Sequence, residues 1–524
     1  MSKKKKTVKL VKRQALGAKK DKQGFLLTAR SAEVIPRYVV YAVAMAFLCF
    51  MIGSVRFGMA PLPDGYANFQ SVKTFASGGG LVVEPGGPGP SNFFIALLAG
   101  VANKIAGANP MILTSIFNYA AFLFILLALG KRAYREENGI PDIAERFSGF
   151  WLVAAHPAIW IFVNSGMDTV VFAAFLTAGF LLLVDHLEYE TPSWRSGLAL
   201  GLAAIVRPEA VFFVAGALML TLVFGRPETK LKDAAIGAVA AILLFAPFAA
   251  LRLSMGGAMF DGAFVAFGRF GPGAGYTFVW LITNIIAAAT VAIALYHAFK
   301  GSPIRIRSII GLAWLIGFAL LATLMGGDSA PYGRLYIPAI PVIAWMMADQ
   351  WPLIAEWLHK RGTATQNVTR YAGLGIIVAS LIWPIFYPTH FRSYRSWLEQ
   401  SKEHRAIGLQ LGKLTAGART TVSNLPSPVM QYHSGLSKSD DPAMFYVASF
   451  PKDIESRELL NEIIGVTKEL RATNDISDRY TLMKLNDDER TVVFLVKKDA
   501  TKSVKGALTP LDLFKPKLKS EAAS

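Results

Sequence analysis

Apolar runs recur along this chain at the length that a lipid bilayer demands. Crossing the hydrocarbon core takes about 18–20 helical residues. Apolar segments lie at about 36–54, 109–130, 149–165, 168–187, 196–206, 209–225, 234–251, 276–298, 308–325, 335–350 and 371–388. Inside lipid every backbone N–H and C=O must find a partner within the protein, so such segments are helices. The composition agrees, since 53% of residues are hydrophobic and only 17% are charged, against about a quarter charged in soluble domains. The expected fold is an α-helical polytopic membrane protein with about 11 membrane segments. One pair, 196–206 and 209–225, is interrupted by "VRPE" and reads as a broken or re-entrant unit. Segment 91–105, "SNFFIALLAGVANKI", is apolar but short and fits an interfacial helix. The single cysteine, Cys49, lies in the first run, so no disulfide forms within the chain.

Charge gives the orientation. Residues 1–37 carry twelve Lys and Arg against Asp21 and Glu33. That tail has one aromatic residue, Phe25, and no interleaved series for stacking on bases, so a nucleic-acid partner is not expected. The loops "GKRAYR" (130–135), "SWR" (193–195), "GRPETKLKD" (225–233), "KGSPIRIR" (300–307) and "HKRG" (359–362) are basic, and counting spans puts all of them beside the N-terminal tail. The positive-inside rule makes that side cytoplasmic. The expected location is a bacterial inner (plasma) membrane, multi-pass, with the C-terminal part periplasmic. The outer side then holds 55–108, the turn at 164–168, the break at 207–209, the loops 252–275 and 326–334, and everything after 389.

The domain plan follows. Residues 1–35 form a basic cytoplasmic tail and 36–388 a transmembrane domain whose first outer loop is 55–108. Residues 389–504 are more polar. The alternating runs "RTTVSN" (419–424), "MFYVASF" (444–450), "YTLMKL" (480–485) and "TVVFLVKK" (491–498) read as strands of a small α/β outer domain. A Lys-rich tail closes the chain at 505–524.

The outer loops hold the ionisable residues that a membrane protein normally avoids. They are Asp64, Asp168 in "SGMDT", Arg207 and Glu209 in "RPE", Arg269 in "FGRFG", and Asp328 and Arg334 in "GGDSAPYGRLYIPAIP". Each has a structural reading. Asp64 and Asp168 suit helix N-caps, Arg207 and Glu209 an ion pair closing the break, and Arg334 a snorkelling side chain. Five separate segments meeting one membrane face favour a polar cavity instead. His156 and Trp160 read as packing residues, and Phe264, Phe267 and Phe270 as an interfacial face or a guide for a lipid tail. Sugar transfer from a lipid phosphate would use such a cavity. It needs a base for the acceptor hydroxyl, for which Asp64 is placed, and cations for the departing phosphate, for which Arg207, Arg269 and Arg334 are candidates. No phosphate-binding glycine loop stands in a strand–loop–helix context, and no His, Cys and carboxylate spacing marks a dedicated metal site.

The stretch "PDGYANFQSVKTFASGGGLVVEPG" (63–86) resembles the first outer loop of the C-type (GT-C) glycosyltransferases that use polyprenyl-phosphate sugars. It is most similar to the terminal arabinofuranosyltransferase B group, whose loop reads roughly D-D-[AG]-x-x-x-x-R-x-x-[RK]-N-L-x-x-G-x-G-L-V-F-N-x-G-E. Asp64 falls on the second acid, Lys73 on a basic position, and Gly78, Gly80, Leu81, Val82 and Gly86 in register. "SGMDT", "RPE" and "GGDSAPYGRLYIPAIP" resemble further motifs of that family, in the same order, and the likeness spans 38–345. The resemblance implies a GT-C-like transmembrane domain, Asp64 as catalytic base, and Tyr66, Lys73, Asp168, Arg207, Glu209, Arg269, Asp328 and Arg334 as substrate-binding residues. Three departures bear on it. Pro63 replaces the first acid, Gln70 replaces an arginine, and "GGPGPSN" (86–92) shortens a conserved stretch of the family pattern.

The expected function is inverting transfer of a sugar, arabinofuranose being one candidate. The donor is a polyprenyl-phosphate sugar, and the acceptor an envelope glycan, lipid or protein. A divalent cation is left open as an aid to the leaving phosphate. Two alternatives belong to other classes: a transporter or flippase for a lipid-linked sugar, and a non-catalytic envelope-assembly subunit.

Overall fold

The computed structural model describes residues 37–56, 62–78, 80–81, 90, 92–135, 148–255, 270–300, 304–328, 333–360, 375, 378, 388–414, 422–423, 428–434, 444–451, 480–486, 490–497 and 509–510. The tail 1–35, Phe264, Phe267, Arg269 and nearly all of 371–388 and 505–524 lie outside the described residues.

Most described residues are helical. In chain order the helices are α1 (Arg37–Arg56), α2 (Pro63–Ala76), α3 (Phe93–Ala106), α4 (Pro110–Arg135), α5 (Ser148–Ala154), α6 (Pro157–Val163), α7 (Thr169–Tyr189) and α8 (Trp194–Val206). A short 3₁₀ turn, Pro208–Ala210, leads to α9 (Val211–Phe224), α10 (Lys230–Ser254), α11 (Phe270–Thr283), α12 (Ile285–Lys300) and α13 (Arg305–Leu324). A second 3₁₀ segment, Arg334–Ala339, precedes α14 (Ile340–Lys360), and α15 (Pro388–Leu414) and α16 (Pro428–Ser434) follow. Among the described residues α4, α7, α10 and α13 are long and apolar enough to cross a bilayer, and α11 with α12 would make a fifth span. The chain is a multi-pass membrane protein.

Two expected continuous spans are interrupted. Segment 276–298 bends by 93° between α11 and α12. The bend is built by Asn284, whose N–H closes α11 on Trp280 O (3.0 Å) while its Oδ1 accepts from the Ala287 N–H (3.4 Å) at the start of α12. Asparagine favours this capping role over a helix interior. Segment 149–165 breaks at Ala155–His156, where Pro157 opens α6 and His156 is extended (φ −71°, ψ 115°). A residue before proline is pushed out of the helical region. Trp160 spans this break by donating from Nε1 to Ala154 O (2.7 Å).

Small residues set the packing of α8. A Cβ on Gly197 would lie 2.2 Å from Gly237 O, and one on Gly201 2.9 Å from Ala241 O. The two contacts advance together, so α8 and α10 run side by side in the same direction with their backbones touching. This is the close approach that glycine spaced by four permits. α9 returns between their ends, with Leu218 beside Gly237 and Gly225 beside Lys230. The pair broken at "VRPE" is therefore a helical hairpin whose tip carries Arg207 and Glu209. At the centre runs α7, most of whose residues are buried. Phe180 of α7 packs edge-on against Trp345 and tilted against Trp314, and Phe213 extends the aromatic core to Phe318.

Downstream, strands β1 (Val422–Ser423), β2 (Met444–Pro451), β3 (Tyr480–Asn486), β4 (Arg490–Lys497) and β5 (Thr509–Pro510) form one sheet in the order β1-β2-β4-β3-β5. β1 and β2 are parallel and the other pairs antiparallel. Ile407 and Leu411 of α15 and Met430 of α16 close over Met444, Met483, Val492, Phe494 and Val496 of the sheet.

Candidate active site

One end of the bundle gathers α2, the 164–168 turn, the hairpin tip and the 326–334 loop. α2 starts at Pro63, which suits a first helical position because it has no N–H to leave unpaired. Just before it, the Leu62 N–H donates to Ser165 O (2.8 Å). Gly65 makes the contact closer still, since a Cβ there would stand 2.4 Å from Ser165 O. Side-chain bonds stiffen the turn. Asn118 Nδ2 donates to Met167 O (2.8 Å), Tyr119 Oη to Asn164 Oδ1 (2.6 Å), and the Met167 N–H to Ser165 Oγ (3.1 Å).

Asp64 and Asp168 do not cap their helices. Asp64 lies in the first turn of α2, and Asp168 precedes α7 without a side-chain capping bond. Each carboxylate goes to an arginine instead. Asp64 Oδ2 accepts from Arg334 Nη1 (2.6 Å). Asp168 Oδ1 accepts from Arg207 Nε (3.0 Å) and Nη2 (2.8 Å), and the Arg207 guanidinium also faces the Phe172 ring (5.8 Å). Glu209, one residue past Pro208, is buried at the same hairpin tip.

Arg334 does not snorkel to lipid. Its Nε and Nη2 form a fork on Asp328 Oδ2 (2.5 Å) and Oδ1 (3.0 Å), and its Nη1 reaches Met167 Sδ (3.6 Å) as well as Asp64. Glycines allow the loop to present these groups. Gly333 has φ +69°, and a Cβ there would stand 2.5 Å from Trp280 Cδ1. Trp280 stacks on Tyr336 at 4.1 Å, and Tyr336 Oη donates to Thr277 Oγ1 (2.7 Å), which fixes the segment against α11. Burial opposes the charge on Arg334, but Asp328 and Asp64 outweigh it and hold the guanidinium above its ordinary pKa. Arg207 is near enough to push the other way. The two guanidiniums therefore share one electrostatic site.

Of the residues expected to bind substrate, Asp168, Arg207, Asp328 and Arg334 meet around Asp64, and Glu209 is buried on the hairpin tip beside Arg207. Tyr66 and Lys73 are placed elsewhere. At 100° per residue they sit about 180–200° around α2 from Asp64. Tyr66 is buried with Phe69 against Tyr432, and its Oη is 3.4 Å from His433 Nε2. Lys73 Nζ donates to Tyr432 O (3.0 Å) and sits 3.7 Å from the centre of that ring. These two residues join α2 to α16. Arg269 is outside the described residues, and Phe270 is exposed. The sequence reading missed Met167, Asn118 and Tyr119. The polar pair in the otherwise apolar "SIFNYAAF" was the available signal. Among the described residues no group of three or more His, Cys, Asp or Glu side chains gathers as a metal site.

The opposite end of the bundle carries arginines paired with carboxylates. Arg132 binds Asp185 (2.6 Å), and Arg307 bridges Glu188 (2.6 Å) and Asp349 (2.6 Å). Arg226 pairs with Glu190. Arg132, Arg226 and Arg307 thus share one end, and Asp64, Asp168, Arg207 and Arg334 share the other.

No protein-family model and no curated protein matches the sequence. The fold is similar to that of ArnT from Cupriavidus metallidurans, in a crystal structure bound to undecaprenyl phosphate. The TM-score is 0.57 at 12% identity, covering 88% of this chain and 98% of that one. The apo structure of the same ArnT gives a TM-score of 0.55 with the same identity and coverage. The likeness is one of fold.

Proposed function

We propose that this chain is a GT-C-type glycosyltransferase that moves a sugar from a polyprenyl-phosphate donor to an envelope glycan, lipid or protein on the outer face of a bacterial inner membrane. The observation that carries this reading is the meeting of one solvent-exposed carboxylate, Asp64, with two mutually repelling guanidiniums, Arg207 and Arg334, at one end of the bundle. The shared fold with ArnT, which was solved with undecaprenyl phosphate bound, supports the donor class. The positive-inside rule makes the end with Arg132, Arg226 and Arg307 cytoplasmic, which leaves Asp64 outside.

In the proposed reaction Asp64 takes the proton of the acceptor hydroxyl. The acceptor oxygen bonds to the anomeric carbon from the face opposite the phosphate, and the configuration inverts. The bond from that carbon to the phosphate oxygen breaks, and its electron pair leaves with polyprenyl phosphate. Arg207 and Arg334 stabilise the charge on the departing phosphate. Guanidinium forks fixed in a water-poor site do this without reorganising. Asp168 and Asp328 hold those forks in place. The sugar, with arabinofuranose as one candidate, is part of this proposal.

The test is purified protein in lipid nanodiscs, with lipid extract of the host membrane as donor and released polyprenyl phosphate as the readout. Transfer by wild type that is lost in Asp64→Asn supports the reading. Full activity in Asp64→Asn, or none in wild type with the complete extract, refutes it.

A further inference from the structure

The site as described is already filled by its own charges. Four carboxyl groups, on Asp64, Asp168, Glu209 and Asp328, share this end with the two guanidiniums of Arg207 and Arg334. An incoming phosphate is a further anion, and it must take the place of one already bound. The three buried carboxyl groups are poor candidates. Asp328 is 7% exposed and held by two bonds to Arg334, Asp168 is 1% exposed and held by two bonds to Arg207, and Glu209 is 5% exposed. Asp64 is 59% exposed and is joined to Arg334 through a single contact, to Nη1. Of the four, it is by far the most exposed to water.

Resting on the transferase reading, we propose that the donor phosphate displaces Asp64 from Arg334 Nη1, so that donor binding is itself the step that frees the base. Without donor, the carboxylate of Asp64 is occupied by the Arg334 guanidinium and is not free to meet an acceptor hydroxyl. With donor, a phosphate oxygen takes the place of Asp64 at Nη1, while Nε and Nη2 remain on Asp328 and keep the planar guanidinium where it was. The released carboxylate stays on the first turn of α2, held by the Leu62–Ser165 bond, next to the atom where the acceptor hydroxyl must lose its proton. The acceptor is then activated only beside a loaded donor. Binding is ordered, donor first.

The experiment measures undecaprenyl phosphate affinity for nanodisc-embedded full-length protein, read by tryptophan fluorescence or native mass spectrometry. Asp64→Asn removes the competing anion, and an exposed ion pair of this kind predicts binding about threefold to fivefold tighter than wild type. The same substitution is made in an Asp328→Asn, Arg334→Gln background, which removes both partners of the buried fork so that neither charge is left unpaired. There Asp64→Asn should gain nothing, because the exchange needs Arg334. Equal tightening in both backgrounds, or no tightening in wild type, overturns the exchange and leaves the transferase reading standing. Failure of wild type and Asp64→Asn alike to bind undecaprenyl phosphate removes that reading and the exchange with it.

Discussion

Alanine at Gly65 puts a methyl group where the backbone of the 164–168 turn already sits. The new Cβ would be 2.4 Å from Ser165 O and 3.2 Å from Gly166 Cα. Carbon and oxygen rest at about 3.2–3.5 Å, so the first turn of α2 must retreat by about 0.8–1 Å. The turn itself resists, because Asn118, Tyr119 and the Ser165 hydroxyl hold it from behind. A retreat of that size stretches the Leu62–Ser165 bond from 2.8 Å to about 3.6 Å, beyond hydrogen-bond range. Asp64 is the preceding residue and moves too, opening its 2.6 Å contact with Arg334. Overpacking of this kind costs about 1–3 kcal/mol, so the protein still folds. A base misplaced by about 1 Å costs on the order of 100-fold in transfer rate. The assay is release of polyprenyl phosphate by purified Gly65→Ala protein, with thermal unfolding in parallel. Gly216→Ala is the control, since a Cβ there meets nothing within 4 Å. Gly65→Ala protein with a wild-type rate would show that the seat of α2 does not set the position of Asp64.

Other substitutions probe the remaining supports. Arg334→Lys keeps a cation but loses the planar fork on Asp328, so transfer should fall roughly 100- to 1000-fold with little change in unfolding temperature. Lys73→Met removes the bond to Tyr432 O and the contact with its ring. Amide exchange in α2 should then quicken and transfer fall about tenfold, while Lys73→Arg restores both, a pattern expected of a positioning residue that never touches substrate. Burial, together with the charges of Arg405 and Lys73, pushes His433 down to about 4 from an ordinary 6.5. Between those values a detached imidazole takes up a proton that the packed one refuses. The α2–α16 contact is therefore at full strength above about pH 6.5 and weakens as pH falls toward 4. Amide exchange of α2 measured across that window should show the loss in wild type and not in His433→Gln.

Much of the site could be read before the fold. An aspartate leaving the first span, an acid in a helical turn, an arginine beside a helix-breaking proline, and an Asp–Arg pair flanked by glycines are each ambiguous. Loop polarity placed them on one face, and the structure brings Asp64, Asp168, Arg207, Asp328 and Arg334 together there. The role of α2 was less legible. Motif position grouped Tyr66 and Lys73 with Asp64, whereas helical phase sets them on the opposite side. Their partners, Tyr432 and His433, are more than 350 residues away, beyond any local pattern. The bend at Asn284 was hidden because hydropathy averages over a single polar residue, while one capping asparagine is enough to redirect a helix. The contact of Gly65 with Ser165 was equally invisible, since a glycine reports missing volume without naming what fills it.

The central claim is that a lipid phosphate sits between Arg207 and Arg334 beside Asp64. A cryo-EM structure of the full chain in nanodiscs with undecaprenyl phosphate tests this most directly. The account predicts phosphate density within about 3–4 Å of both guanidiniums, with the Asp64 carboxylate turned from Arg334 toward water. Phosphate density at the opposite end, near Arg132 and Arg307, or lipid density that avoids both arginines while Asp64 stays on Arg334, would contradict it.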